Sequence, residues 1–122
     1  MRNVPGLIAT FMAATAIPRY TVVALSAAQD KVELANDVAD PILGISAEPA
    51  DAPIGAQIDV ILSGIAKAKA GASIAKGAWL TVDAQGRVIT ASAATNERIG
   101  RALEAANAAN DVIPVLITHG LG

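Results

Sequence analysis

One order of pieces occurs twice along this chain. "YTVVALS" (residues 20–26) is answered by "AWLTVD" (78–83) and "AQDKVELA" (28–35) by "AQGRVITA" (84–91). "DPILGISAEPA" (40–50) is answered by "NERIGRALEAA" (96–106), and "QIDVILSG" (57–64) by "DVIPVLITHG" (111–120), all at an offset of about 56 residues. That period is longer than most solenoid repeats and suits a duplicated half-domain, with pseudo-repeats at about 17–64 and 74–120. Whatever one half folds into, the other must be able to adopt.

The repeated pieces have the marks of strands. "YTVVALS" has the β-branched content and length of one, and the polar turn "AAQD" leads into a second, "KVELA". In "QIDVILSG", Ile58, Val60 and Leu62 alternate with Asp59, Ile61 and Ser63, the period of a strand with one buried face. Gly86 supplies positive φ in the matching turn of the second half. The segment 95–111 alone resembles a capped helix, with Asn96 as N-cap and Ile99 and Leu103 four apart. Its counterpart carries Pro41, Gly44, Pro49 and Pro53, which a helix interior does not tolerate. The repeat therefore predicts a strand over 99–104 with at most a short helical turn after it. "AKAKAGASIAKG" reads as a connector whose Ala/Lys content supports a helical turn until Gly71. The expected fold is all-β: a small β-barrel or sandwich of two pseudo-repeated halves.

The chain has 122 residues, enough for one domain with a modest core. Its hydrophobic fraction is 53%, but 28 of those residues are alanines and the aromatics are Phe11, Tyr20 and Trp79 alone. Alanine buries little area, so association is an expected way to bury more. The net charge of -2 has its signs interspersed and offers no basic stripe for phosphate or lipid. Nucleic acid and membrane are not expected partners. Cysteine is absent, which excludes disulfides and thiolate chemistry and agrees with a reducing compartment.

The N-terminal twenty residues imitate a signal peptide, with Arg2, a short apolar run and Ala14-Thr15-Ala16. Pro5, Gly6 and Pro18 break the run too often for a spanning helix. It is read instead as an extended arm, residues 1–16, preceding a single barrel domain at 17–122. Val4, Leu7, Ile8, Phe11 and Met12 are its apolar cluster and the expected contacts with a partner or neighbouring subunit; deleting residues 2–12 is expected to leave the barrel folded. Trp79 reads equally as a core side chain or as an inter-subunit anchor.

Reaction chemistry is not legible. His119 is the only histidine and a solvated or interface role suits it better than catalysis with Asp111. The acids are scattered through turns without metal-ligand spacing. Ser26, Ser63 and Ser73 lack a nucleophile-elbow setting, and the glycines form no phosphate cradle. Lys67, Lys69 and Lys76 read as a solvated connector before an acidic-partner patch. The expectation is a protein that is not an enzyme and has no cofactor, metal or small-molecule substrate.

The order of pieces resembles the capsid cement, or head decoration, proteins of tailed phages. The resemblance is carried by "ATAIPRYTVVAL", "ILGISA", "IDVILSGIAKAKAGASIAKGAWLTVDAQGRVITA", "ERIGRALEAA" and "DVIPVLITHG", almost all of residues 13–120. The family commonly has a Gly before the last strand, where this chain has Asn110-Asp111. The resemblance implies a β-rich subunit, made in the host cytoplasm, that binds the major capsid protein as a homotrimer. It would sit on the outer surface of the virion and stabilise the shell against internal DNA pressure. A phage tail, baseplate or host-surface module shares the architecture and is the alternative. A biotinyl or lipoyl carrier is disfavoured because Lys31 beside its turn lacks the neighbours such a site needs.

Overall fold

The computed structural model describes residues 4–26, 31–36, 42–46, 51–91 and 97–121. The turn "AAQD", Pro41 and Pro49 lie outside them. Eleven strands are assigned: β1 (Val4–Pro5), β2 (Ile8–Ala13), β3 (Val22–Leu25), β4 (Lys31–Leu34), β5 (Ile42–Ser46), β6 (Gln57–Ile61), β7 (Gly64–Lys69), β8 (Trp79–Val82), β9 (Val88–Thr90), β10 (Glu97–Ala102) and β11 (Val112–Leu121). No described residue is helical; Asn96 lies outside the described residues, and Glu97–Ala102 is a strand, as the proline-bearing counterpart requires.

β2 to β6 close into a barrel in the order β2-β4-β3-β5-β6. β7 to β11 form a second sheet, β7-β11-β10-β8-β9, with β1 on its β7 edge. Its two ends are drawn together by a parallel bridge between Ala70 and Val88. The second sheet repeats the first pair for pair. The antiparallel β2–β6 pair is matched by β7–β11, β3–β4 by β8–β9, β3–β5 by β8–β10 and β5–β6 by β10–β11. The parallel β2–β4 seam corresponds to the Ala70–Val88 bridge, and the Ile17–Ala52 bridge to Ile74–Ala106. The molecule is a closed five-stranded barrel followed by a second sheet that repeats its pairing and is brought nearly to closure by one bridge.

This corrects the expected arm. Residues 8–13 are the closing strand of the first barrel, paired with β6 from Ile8–Ile61 to Met12–Gln57 and with β4 at Met12 and Ala13. The physical reason is the alternation within β2: Phe11 and Ala13 turn inward onto the core while Ile8, Thr10 and Met12 are exposed. The connector is corrected likewise. "GIAKAK" is β7, with Ala66 and Ala68 buried and Lys67 and Lys69 half-exposed. Each repeat thus begins one strand earlier than the sequence pattern indicates.

Backbone conformation follows the duplication. Tyr20 has φ 62 where the second half places Gly77 at φ 86. Asn110 has φ 74 where the first half places Gly55 at φ 87, so an Asn, the non-glycine residue best suited to the left-handed region, stands in for the expected glycine. Gly86, at φ 76, makes the turn into β9.

The first barrel's interior holds Ala13, Ile17, Val23, Val32, Ala52, Ile58 and Val60, with Phe11, Leu43, Ala56 and Leu62 packed against them. Their second-half counterparts, from Ala70, Ile74 and Leu80 to Ile113 and Val115, share one continuous cluster with Val22, Ile45 and Ile61, which belong to the first barrel. That cluster is both the interior of the second barrel and the junction between the two.

Candidate functional site

Register aligns a row of residues across each barrel. In the first, Val22 pairs with Ile45, Ile45 with Ile61 and Ile61 with Ile8. In the second, Trp79 pairs with Arg101, Arg101 with Leu116, Leu116 with Ile65, and Ile65 with Val4 of β1. The two rows occupy equivalent positions but meet different surroundings. Val22, Ile45 and Ile61 are fully buried under the second barrel. Trp79 and Ile65 are half-buried, Arg101 is exposed and Leu116 is 39% exposed.

The second row is ordered by its own contacts. Two guanidiniums lie over the Trp79 ring, Arg101 4.2 Å and Arg98 5.0 Å from its centroid. Such contacts hold a cation over the electron-rich face of the ring and are worth about 0.5–1 kcal/mol at exposed sites. The Arg101 Nη1 also donates to the Gly77 carbonyl at 3.3 Å. Arg98 Nε is buried with no hydrogen-bond partner. A stacked Trp flanked by arginines and an exposed Leu is the composition that concentrates binding energy at protein interfaces.

The junction between barrels is made by backbone as well as side chains. Lys69 N–H donates to the Tyr20 carbonyl and Val22 N–H to the Gly86 carbonyl, both at 2.8 Å. Beside them lies an open cleft of about 240 Å³ lined by Pro18 and Thr21 from the first barrel and Lys69, Gln85, Arg87 and Asn110 from the second. Arg87 is committed there: Nε donates to Asp83 at 2.9 Å, Nη1 to Asn110 at 3.2 Å and Nη2 to Gln85 at 3.1 Å. These bonds tie the turn before β9 to the turn before β11, which is a structural task.

The residues singled out in the sequence are divided by the fold. Val4 and Trp79 stand on one row, with three strands between them. Leu7 is exposed at 58% beside the first barrel, its N–H bonded to Ser63 Oγ at 3.0 Å. Ile8 and Met12 lie on the first barrel's outer face, 45% and 38% exposed. Phe11 is half-buried and packs against the first barrel's core, on the opposite face of β2 from Ile8 and Met12. Arg98, Arg101 and Leu116 went unremarked. The signal for them was in the repeat: they stand where the first half has Ile42, Ile45 and Ile61. Among the described residues, no three His, Cys, Asp or Glu side chains gather as a metal site.

The duplicated fold thus buries one row under its own second half and presents the equivalent row outward. The chain belongs to the phage cement protein family, whose sequence profile matches residues 3–117. Among solved structures, the N base of the head fiber gp8.5 in bacteriophage phi29 is similar in fold, with a TM-score of 0.68 at 20% identity, covering 92% of this chain and 93% of that one. No curated protein matches the chain by sequence. Membership makes capsid decoration the role of this protein and the phage virion its place.

Proposed function

We propose that the chain seats on the outer face of a phage head as a homotrimer, contacts the major capsid protein, and reinforces the shell against internal DNA pressure by binding alone, without catalysis. The observation that carries this reading is the cement-family match along nearly the whole twin-barrel unit. The fold supports it physically. Two closed or nearly closed barrels leave few free strand edges, so the subunit is protected against edge-to-edge aggregation at the high local concentration of a decorated shell. Binding through several copies of one contact makes each later contact intramolecular, so modest interfaces hold the assembly in place.

The test is to add purified protein to undecorated, DNA-filled heads and sediment them. Saturable recovery in fixed ratio to the major capsid protein, with heads that release DNA at a higher temperature, is the expected result. Protein that stays in the supernatant while binding tails or host envelopes would place it elsewhere on the virion.

A further inference from the structure

The duplication has left one copy of an internal interface unused. Inside the chain, the first barrel's row Val22–Ile45–Ile61 is covered by the second barrel. The covering part includes Lys69 and Gly86, which bond to Tyr20 and Val22. The contact is head to tail, because the second barrel's own equivalent row, Trp79–Arg101–Leu116, faces outward. The first barrel in turn keeps an uncovered counterpart of the covering part. Met12, the counterpart of Lys69, is 38% exposed, and Leu25, the counterpart of the buried Val82, is 48% exposed. Each barrel therefore presents half of a junction that the chain makes once internally.

We propose that a second copy of this chain completes it: the first-barrel end carrying Met12 and Leu25 docks on the Trp79–Arg101–Leu116 row of its neighbour, in the register of the internal junction. This deepens the decoration reading and rests on it for its purpose, but the contact is a property of the free protein. The side chains fit the assignment. Where the row is buried permanently within the chain it is wholly aliphatic; where it waits for a partner it has Trp, Arg and Leu, which tolerate water before docking and bind strongly after it. The repeated contact uses two different surfaces, so it is heterologous and generates a ring when its rotation closes.

The experiment uses the full chain and two variants, Arg101→Glu on the row and Leu25→Glu on the opposing end. Mass is read by light scattering on a sizing column and folding by far-UV circular dichroism. The wild type is expected as a closed oligomer and each folded variant as a monomer. An equimolar mixture of the two is expected to give a one-to-one dimer and nothing larger, since only one intact pair of faces exists between them. A monomeric wild type, a variant with wild-type mass, or folded variants that do not pair in the mixture would overturn the proposal. Arg101→Ala and Met12→Ser give the same reading if a glutamate unfolds the chain. Cosedimentation with heads separates the two ideas: a monomeric wild type that still binds heads defeats the junction alone, and an oligomer that ignores heads defeats the decoration reading alone.

Discussion

At the residue scale, duplication supplies its own controls, because each position has a partner that met the same geometry with a different side chain. Gly44 and Gly100 are equivalent, and a Cβ at either would collide with a backbone carbonyl, that of Ile61 or Leu116. Gly100→Ala should therefore destabilise the fold by about 1–3 kcal/mol or more, as overpacking against an unyielding neighbour does, read as a lowered urea midpoint. A midpoint within error of wild type would mean that β10 can move away from β11. Gly55 tests a different term, since nothing lies near its Cβ position and only its φ of 87 matters. Gly55→Ala should cost about 1 kcal/mol or slightly more, as a side chain forced into the left-handed region does. Gly55→Asn should cost less, because Asn110 already adopts φ 74 at the equivalent place. Equal losses for Ala and Asn would refute that reasoning. Gly86 and Trp79 were legible as special from sequence because each is a rare type in its setting. Arg98 and Arg101 were not, because their meaning lies in stacking on a ring some twenty positions away across a strand pair.

At the scale of elements, most strands were legible because β-branched residues and period-two alternation mark β3, β5, β6, β8 and β11, and the prolines of one half settled β10 in the other. The first strand of each repeat escaped for two different reasons. β2 lies between Pro5 and Pro18 in a run that imitates a leader, and β7 is Ala and Lys, whose helix propensity competes with its alternation. Tertiary structure overrides that propensity: small Ala66 and Ala68 fill the second barrel's interior where Phe11 helps to fill the first. The consequence reverses the expectation about the arm. Deleting residues 2–12 removes the strand that pairs with both β4 and β6, exposes two edges and uncovers the Phe11 side of the core. The truncated chain should fail to show a cooperative melt, or melt far below wild type, with strong dye binding to exposed apolar surface. An unchanged melting curve would show that the barrel closes without β2. Removing residues 2–5 alone is the milder case, because β1 forms only a two-residue pairing on the β7 edge.

At the scale of the whole molecule, the duplicated chain and the decorated shell pose the same problem: holding on with many weak contacts. A subunit whose two halves are joined by one buried junction would, if copies repeat that junction as proposed, spread a single surface around a ring. Every subunit of such a ring would present the same face to the shell, so its attachment would be the product of several modest contacts at high effective concentration. Arg101 lies on the row proposed to join copies, which allows the two contributions to be parted. Arg101→Glu, folded and monomeric, should keep whatever affinity one subunit has for the head but lose the avidity, lowering retention after dilution by about 10²–10⁴-fold. The loss should appear as faster release from heads in a wash-and-sediment assay, with initial binding at high concentration preserved. Linking monomers artificially, through a fused trimerising coiled coil, should restore retention without restoring the Arg101 contact. Retention undiminished in the monomeric variant would show that one subunit grips the shell by itself. Retention lost and not restored by the fused coil would show that Arg101 touches the capsid directly.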